Sequence, residues 1–126
     1  MIQTSLKVSA IDHVVLWVSD LQRSKDFYIG LLGMRVAHES DWQSFLWCGE
    51  HQMVALFQQR DGSDVSGGRE VNHMALRLVS GEYEEVKATL EAAGCVVSGR
   101  QGDPHCLYFS DPDGHRLQVL TPSERG

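Results

Sequence analysis

Prolines are scarce in this chain, three in 126 residues, and the three cysteines, Cys48, Cys95 and Cys106, fall at irregular spacing with no CxxC pair. An odd, unpatterned set of thiols argues against a disulfide framework and points to reduced core cysteines. Basic residues are also in the minority: 11 Lys and Arg stand against 17 Asp and Glu, a net charge of -6 with a pI near 5.4. Without a basic stripe there is no electrostatic footprint for nucleic acid. No apolar run approaches the ~20 residues of a membrane span, and the opening "MIQTSLKVSA" lacks the apolar core of a signal peptide, so the expectation is a cytoplasmic protein with no membrane partner. What is present is ordinary globular composition, 42% hydrophobic and 22% charged, at a length that fits one domain able to fold without disulfides or metal. A metal ion here would serve chemistry rather than folding.

The sequence repeats itself. "IDHVVLWVSDLQRSKDFYIGLLGMRVA" from Ile11 lies over "VNHMALRLVSGEYEEVKATLEAAGCVVS" from Val71, placing His13 on His73 sixty positions later and Gly33 on Gly94 sixty-one later. Each copy opens on a strand with period-two alternation: Val14, Leu16 and Val18 against His13, Val15 and Trp17, then Met74, Leu76 and Leu78 against His73, Ala75 and Arg77. A helix follows in each copy. The first takes Ser19 or Asp20 as N-cap, carries Phe27, Leu31 and Leu32, and stops at Gly33; the second takes Ser80 as cap, carries Tyr83, Val86, Leu90 and Ala93, and stops at Gly94. Three short strands come next in each half, about 34–40, 43–49 and 52–59, then 95–101, 104–110 and 115–121. The unit is βαβββ, used twice: an α+β fold of two tandem modules, each a curved mixed sheet with its helix on the convex side. Module one covers about 10–59, a Gly-, Ser- and Asp-rich linker about 60–70, and module two about 71–121, within a single domain 1–126.

Strand parity predicts a site. Aligning the last strands of the two halves at their apolar positions sets Ala55 on Gln118, so His13, Ala55, His73 and Gln118 are the repeat-related positions of the concave faces. Two neutral imidazoles with an oxygen donor suit a divalent ion such as Fe, Mn, Ni or Zn. Gln118 offers a carbonyl oxygen without charge, and an amide cannot act as a general base near neutral pH. A histidine opening a strand is also compatible with a satisfied core residue. Tyr108, ten residues before Gln118 across the "SDPDG" turn, is the candidate catalytic group as hydrogen-bond donor or proton carrier. Val15, Trp17, Ala55 and Phe57, with His105 ahead of Tyr108, are the candidate substrate contacts. In the turn, Pro112 presets φ, Asp111 and Asp113 cap locally and Gly114 takes the conformation others avoid, while His115 and His51 sit beside turns in solvent.

The segments "IDHVVLWVSDLQRSKDFYIGLLGMRV", "VNHMALRL" and "LYFSDPDGHRLQVL" resemble the signature segments of the vicinal oxygen chelate superfamily, which holds glyoxalase I, extradiol dioxygenases, fosfomycin-resistance proteins and bleomycin-binding proteins. The resemblance spans about residues 10 to 121. It implies that His13 and His73 are metal ligands and that Gln118 stands where these enzymes usually have a glutamate ligand. Ala55 stands where glyoxalase I has a further glutamate. Tyr108 matches a tyrosine near substrate in the dioxygenases, and Val15 replaces a threonine of the fosfomycin proteins. The implied function is a divalent-metal-dependent enzyme of glyoxalase or extradiol dioxygenase type, acting on a small substrate that chelates through neighbouring oxygens. The implied assembly is a homodimer in which His13 of one chain meets His73 and Gln118 of the other. The alternative is a non-catalytic, bleomycin-resistance-like binding protein, for which Trp17, Trp42, Phe45, Trp47, Phe57 and Tyr108 supply stacking surface.

Overall fold

A computed structural model describes residues 6–62, 64–65 and 70–122. The chain divides into two compact units, Met1–Arg60 and Asp61–Gly126. Unit 1 holds β1 (His13–Val18), α1 (Leu21–Lys25) running directly into a π-helical stretch (Asp26–Leu31), β2 (Arg35–Glu39), β3 (Gln43–Cys48) and β4 (Gln52–Gln58). Unit 2 holds β5 (Met74–Arg77), α2 (Tyr83–Ala92), β6 (Ser98–Arg100), β7 (Asp103–Ser110) and β8 (Arg116–Leu120). The tandem βαβββ order is therefore the one the repeat predicts. Each unit forms a four-stranded mixed sheet, β1-β4-β3-β2 and β5-β8-β7-β6, whose first pair is parallel and whose other pairs are antiparallel.

Alternation decides which residues hold each unit together. In unit 1, Val18, Leu46, Val54 and Leu56 are buried with Tyr28 from the helical segment and Met34 after it. In unit 2, Leu90 of α2 is buried, as are Leu107, Phe109, Leu117 and Val119 of β7 and β8. Burying each such side chain contributes roughly 1.5–3 kcal/mol, so these clusters set the register of the strands. The alternate positions are thereby turned to the opposite face, which carries the histidines.

The first helix is capped by Asp20, whose side chain accepts from the Arg23 backbone N–H at 3.1 Å, while Ser19 accepts from the Arg23 guanidinium at 2.8 Å. In the second helix the cap position falls on Glu82, which makes no side-chain cap hydrogen bond, rather than on Ser80. The reason is Gly81: its φ of +118° turns the chain after Ser80, and a Cβ there would meet Val86 Cγ2 at 2.9 Å. Gly81→Ala is expected to lower the unfolding free energy by about 1–3 kcal/mol, read from urea denaturation. The expected strand 95–101 shortens to Ser98–Arg100, where the β6–β7 register shifts between Gly99 and Arg100. Of the linker positions, 63 and 66–69 lie outside the described residues.

Candidate functional site

Register fixes the equivalence inferred from the repeat. In unit 1, β1 and β4 pair Val15 with Ala55; in unit 2, β5 and β8 pair Ala75 with Gln118. Val15 and Ala75 each lie two residues past a repeat histidine, so Ala55 and Gln118 occupy matching places. Ala55 is fully buried. Phe45, its partner on β3, makes an edge contact with the His13 ring at 5.3 Å between centroids and stacks on His38 at 4.4 Å. Where a longer side chain could stand, unit 1 has an alanine beside a phenyl ring.

The rest of that face is aromatic. Phe57 packs edge-on with Phe45 at 6.0 Å, with Trp17 at 5.7 Å and with Trp42 at 5.1 Å. Yet Trp17 remains 50% exposed and Trp42 36%, with Val15 at 38% beside them, so large apolar surface is left uncovered within the described residues. A surface of this kind marks a binding or association face.

In unit 2, β7 and β8 pair Tyr108 with Gln118 directly, as the hairpin reading requires. Gln118 is only 5% exposed. The Tyr108 hydroxyl accepts from the Arg100 guanidinium at 2.8 Å, which leaves its own O–H free to donate and holds Arg100 above the ordinary arginine pKa. The guanidinium of Arg116 lies over the Tyr108 ring at 4.6 Å, and the His73 ring approaches edge-on at 5.5 Å. Tyr108 is thus the hub of this face, in contact with His73 and two arginines and in register with Gln118.

The two repeat histidines share a further feature. His13 Nδ1 lies 2.7 Å from the Asp12 carboxylate, and His73 Nδ1 lies 2.8 Å from Asn72 Oδ1. Because Asp12 and Asn72 both offer an acceptor oxygen, Nδ1 is the donor in each contact, and Nε2 is the ring nitrogen left out of it. An imidazole whose Nδ1–H is held by an oxygen acceptor is the arrangement by which proteins orient metal-ligating histidines. Sequence reasoning passes over Asp12 and Asn72. The signal is visible in hindsight, because "IDH" over "VNH" repeats an oxygen acceptor directly before each histidine.

Other candidates fall elsewhere. His105 alternates with Tyr108 and so lies on the same side of β7 as Leu107; its Nδ1 is 3.0 Å from Thr121 Oγ1, and it does not join Tyr108 and Gln118. His115 is not solvated as expected: its side chain is 14% exposed and its Nδ1 lies 2.8 Å from the buried Asp111 carboxylate. That hydrogen bond raises the His115 pKa above 6.5, against the opposing pull of burial. His51 is exposed beside Glu50, as the turn implies. The cysteines are free, and burial pushes the Cys48 and Cys95 thiols up, away from reactive thiolate. Among the described residues, no group of three or more His, Cys, Asp or Glu is placed to hold a metal.

Residues 10–119 match the family model of the Glyoxalase/Bleomycin resistance protein/Dioxygenase superfamily, and the chain belongs to that superfamily. It is 30% identical over 118 residues to a metallothiol transferase, FosB, from Staphylococcus saprophyticus, covering 90% of this chain and 78% of the relative. It is 26% identical over 113 residues to the glutathione transferase FosA of Serratia marcescens, covering 89% of this chain and 80% of that one. Among solved structures, the fosfomycin resistance protein FosX of Listeria monocytogenes, complexed with Mn(II) and sulfate, superposes with a TM-score of 0.76 at 21% identity, covering 94% of each chain. No helix among the described residues is long and apolar enough to cross a membrane.

Proposed function

We propose that this chain is a divalent-metal-dependent enzyme acting on a small substrate that offers two neighbouring oxygens. The ligand set is Nε2 of His13, Nε2 of His73 and the amide oxygen of Gln118, with His13 of one chain joined by His73 and Gln118 of a second chain in a homodimer. The observation that carries this reading is the repeated Asp12–His13 and Asn72–His73 contact, which leaves the same ring nitrogen free in both halves. Gln118, 5% exposed and paired in register with Tyr108, fits the same role. Support also comes from relatives named metallothiol transferase and from the Mn(II) in the Listeria structure.

When bound, an Fe, Mn, Ni or Zn ion in this set supplies Lewis acidity or oxygen activation toward the substrate's oxygens. The protein's own contributions follow from its side chains. Gln118 donates a lone pair without charge, so it holds the ion less tightly than a carboxylate and neutralises none of its charge. Neither Gln118 nor Ala55 can move a proton, which removes the carboxylate chemistry of glyoxalase I. Tyr108 takes over as donor, its oxygen anchored by Arg100 and its O–H directed to substrate. Val15, Trp17 and Phe57 form the apolar wall, with Ala55 closing the floor between them. Fosfomycin is the substrate suggested by the relatives, although Val15 replaces the threonine of the fosfomycin proteins resembled here.

Protein purified without chelator and titrated with Fe(II), Mn(II), Ni(II) or Zn(II) is expected to take up about one ion per chain. Less than about a tenth of an ion per chain with every metal refutes the reading. The exposed Trp17 and Trp42 favour the alternative of a bleomycin-resistance-like binding protein. In that case a His13→Ala, His73→Ala double variant binds its organic ligand as well as the wild type does.

A further inference from the structure

The internal repeat extends past the histidines to the rings that touch them. Phe45 on β3 pairs in register with Ala55, and Tyr108 on β7 pairs with Gln118, the residue equivalent to Ala55. Because β3 and β7 also hold the same place in their sheets, Phe45 and Tyr108 are equivalent positions of the two units. Each meets the repeat histidine of its own unit edge-on: Phe45 and His13 at 5.3 Å with 70° between the ring planes, Tyr108 and His73 at 5.5 Å with 81°. Strand pairing alone does not impose such a contact. In unit 1, β4 lies between β1 and β3, so their backbones stand about 9.5 Å apart, and His13 is two residues, about 7 Å, out of line with Phe45. The two side chains meet by leaning toward each other above β4, between the register positions of Met53 and Ala55, where the alanine contributes only a methyl. The contact supplies something that the Asp12 hydrogen bond lacks. That carboxylate is 79% exposed and the imidazole 40%, so water competes for the bond, and a single contact at Nδ1 leaves the ring free to tilt about it. Phe45 is itself braced: His38, its partner on β2, stacks on it at 4.4 Å and 20°, and Phe57 packs edge-on at 6.0 Å.

We propose that Phe45 is a positioning residue of the metal centre, its ring setting the plane of the His13 imidazole, and that His38 acts through Phe45 by stacking on it. The ring of Tyr108 gives His73 the same support in unit 2. This rests on the metal-centre reading, in which His13 is a ligand. It goes beyond that reading by adding two residues of β2 and β3 that donate nothing to the ion. His38 contributes as a flat ring, not as a ligand.

The test titrates the full-length chain with Co(II), whose visible absorption reports the arrangement of its ligands. In parallel, NMR relaxation of ¹³C-labelled histidine in the metal-free chain reports the motion of the His13 ring. Phe45→Leu, which keeps apolar volume and removes the ring, is expected to weaken Co(II) binding about tenfold, to shift its visible bands and to make the His13 ring more mobile. Phe45→Tyr restores the ring and is expected to stay within about twofold of the wild type. His38→Ala changes an exposed residue and so tests the stack without threatening the fold; it is expected to weaken Co(II) binding about threefold. His38→Phe, which keeps the stack without the nitrogens, is expected to return wild-type affinity. The proposal is overturned if Phe45→Leu binds Co(II) as the wild type does or leaves the His13 ring motion unchanged. It is also overturned if His38→Phe loses as much affinity as His38→Ala, which would make His38 a donor. A wild-type chain that takes up no Co(II) removes the metal centre, and the metal-free relaxation then decides the positioning by itself: a more mobile His13 in Phe45→Leu keeps it, and an unchanged one overturns it.

Discussion

His73→Ala is expected to weaken Mn(II) binding by at least about 100-fold, measured by calorimetric titration, and His13→Ala by a similar factor. Each substitution deletes one of the three donors of the proposed set, and the third, Gln118, is a neutral amide that cannot compensate with charge. Asp12→Asn and Asn72→Ala are expected to cost about tenfold, because they loosen or lose the acceptor that holds Nδ1–H and fixes the ring, while Nε2 itself stays. A graded series, large for the rings and moderate for the residues before them, is the signature of oriented ligation. His51→Ala serves as the control, since this side chain is 88% exposed and lies outside the proposed ligand set. Metal affinity equal to wild type in both histidine variants would remove His13 and His73 from the centre.

Asp111→Ala is expected to destabilise the protein by roughly 3 kcal/mol in urea denaturation, with little change in ligand affinity. Asp111 is 5% exposed and serves several donors: its Oδ1 accepts from the backbone N–H groups of Asp113 at 3.0 Å and His115 at 2.9 Å, and its Oδ2 meets His115 Nδ1. Removing it strands buried donors at the turn that aligns β7 with β8, and so threatens the Tyr108–Gln118 register. The same contact predicts a pH dependence. The Asp111 hydrogen bond lifts the folded pKa of His115 above its ordinary 6.5, so protonated His115 favours the folded state. Its contribution is complete below the unfolded value and disappears as pH rises through the raised folded value. His115→Gln is expected to flatten the stability profile across that interval, whereas an unchanged slope would assign the dependence to other groups.

The consequences of these two sites differ in how far the sequence announces them. The turn "SDPDGH" shows its acids and its glycine, but nothing local shows that Asp111 faces inward and draws His115 with it. That outcome depends on burial between β7 and β8, a property of the packed unit. His13, His73 and Gln118 are legible because the repeat supplies an internal comparison, and strand parity then turns matching positions to matching faces. Asp12 and Asn72 are legible only afterwards, since a side chain before a strand has no parity to predict its partner. The first helix shows the same limit. Its apolar spacing announces a helix, and only the packing of Tyr28 into the unit reveals the switch to a π-helical stretch over Asp26–Leu31.

By itself the sequence determines the two βαβββ modules, the face on which each repeat histidine lies, and the equivalence of Ala55 with Gln118, because all three follow from periodicity and duplication. Only the tertiary structure decides that Arg100 and Arg116, sixteen positions apart in the chain, converge on Tyr108, and that Phe45, the register partner of Ala55, meets His13. Those contacts run between strands that are neighbours only through hydrogen-bonded pairing, so no local pattern encodes them. They are the contacts that give the candidate site its charge and its ring surface.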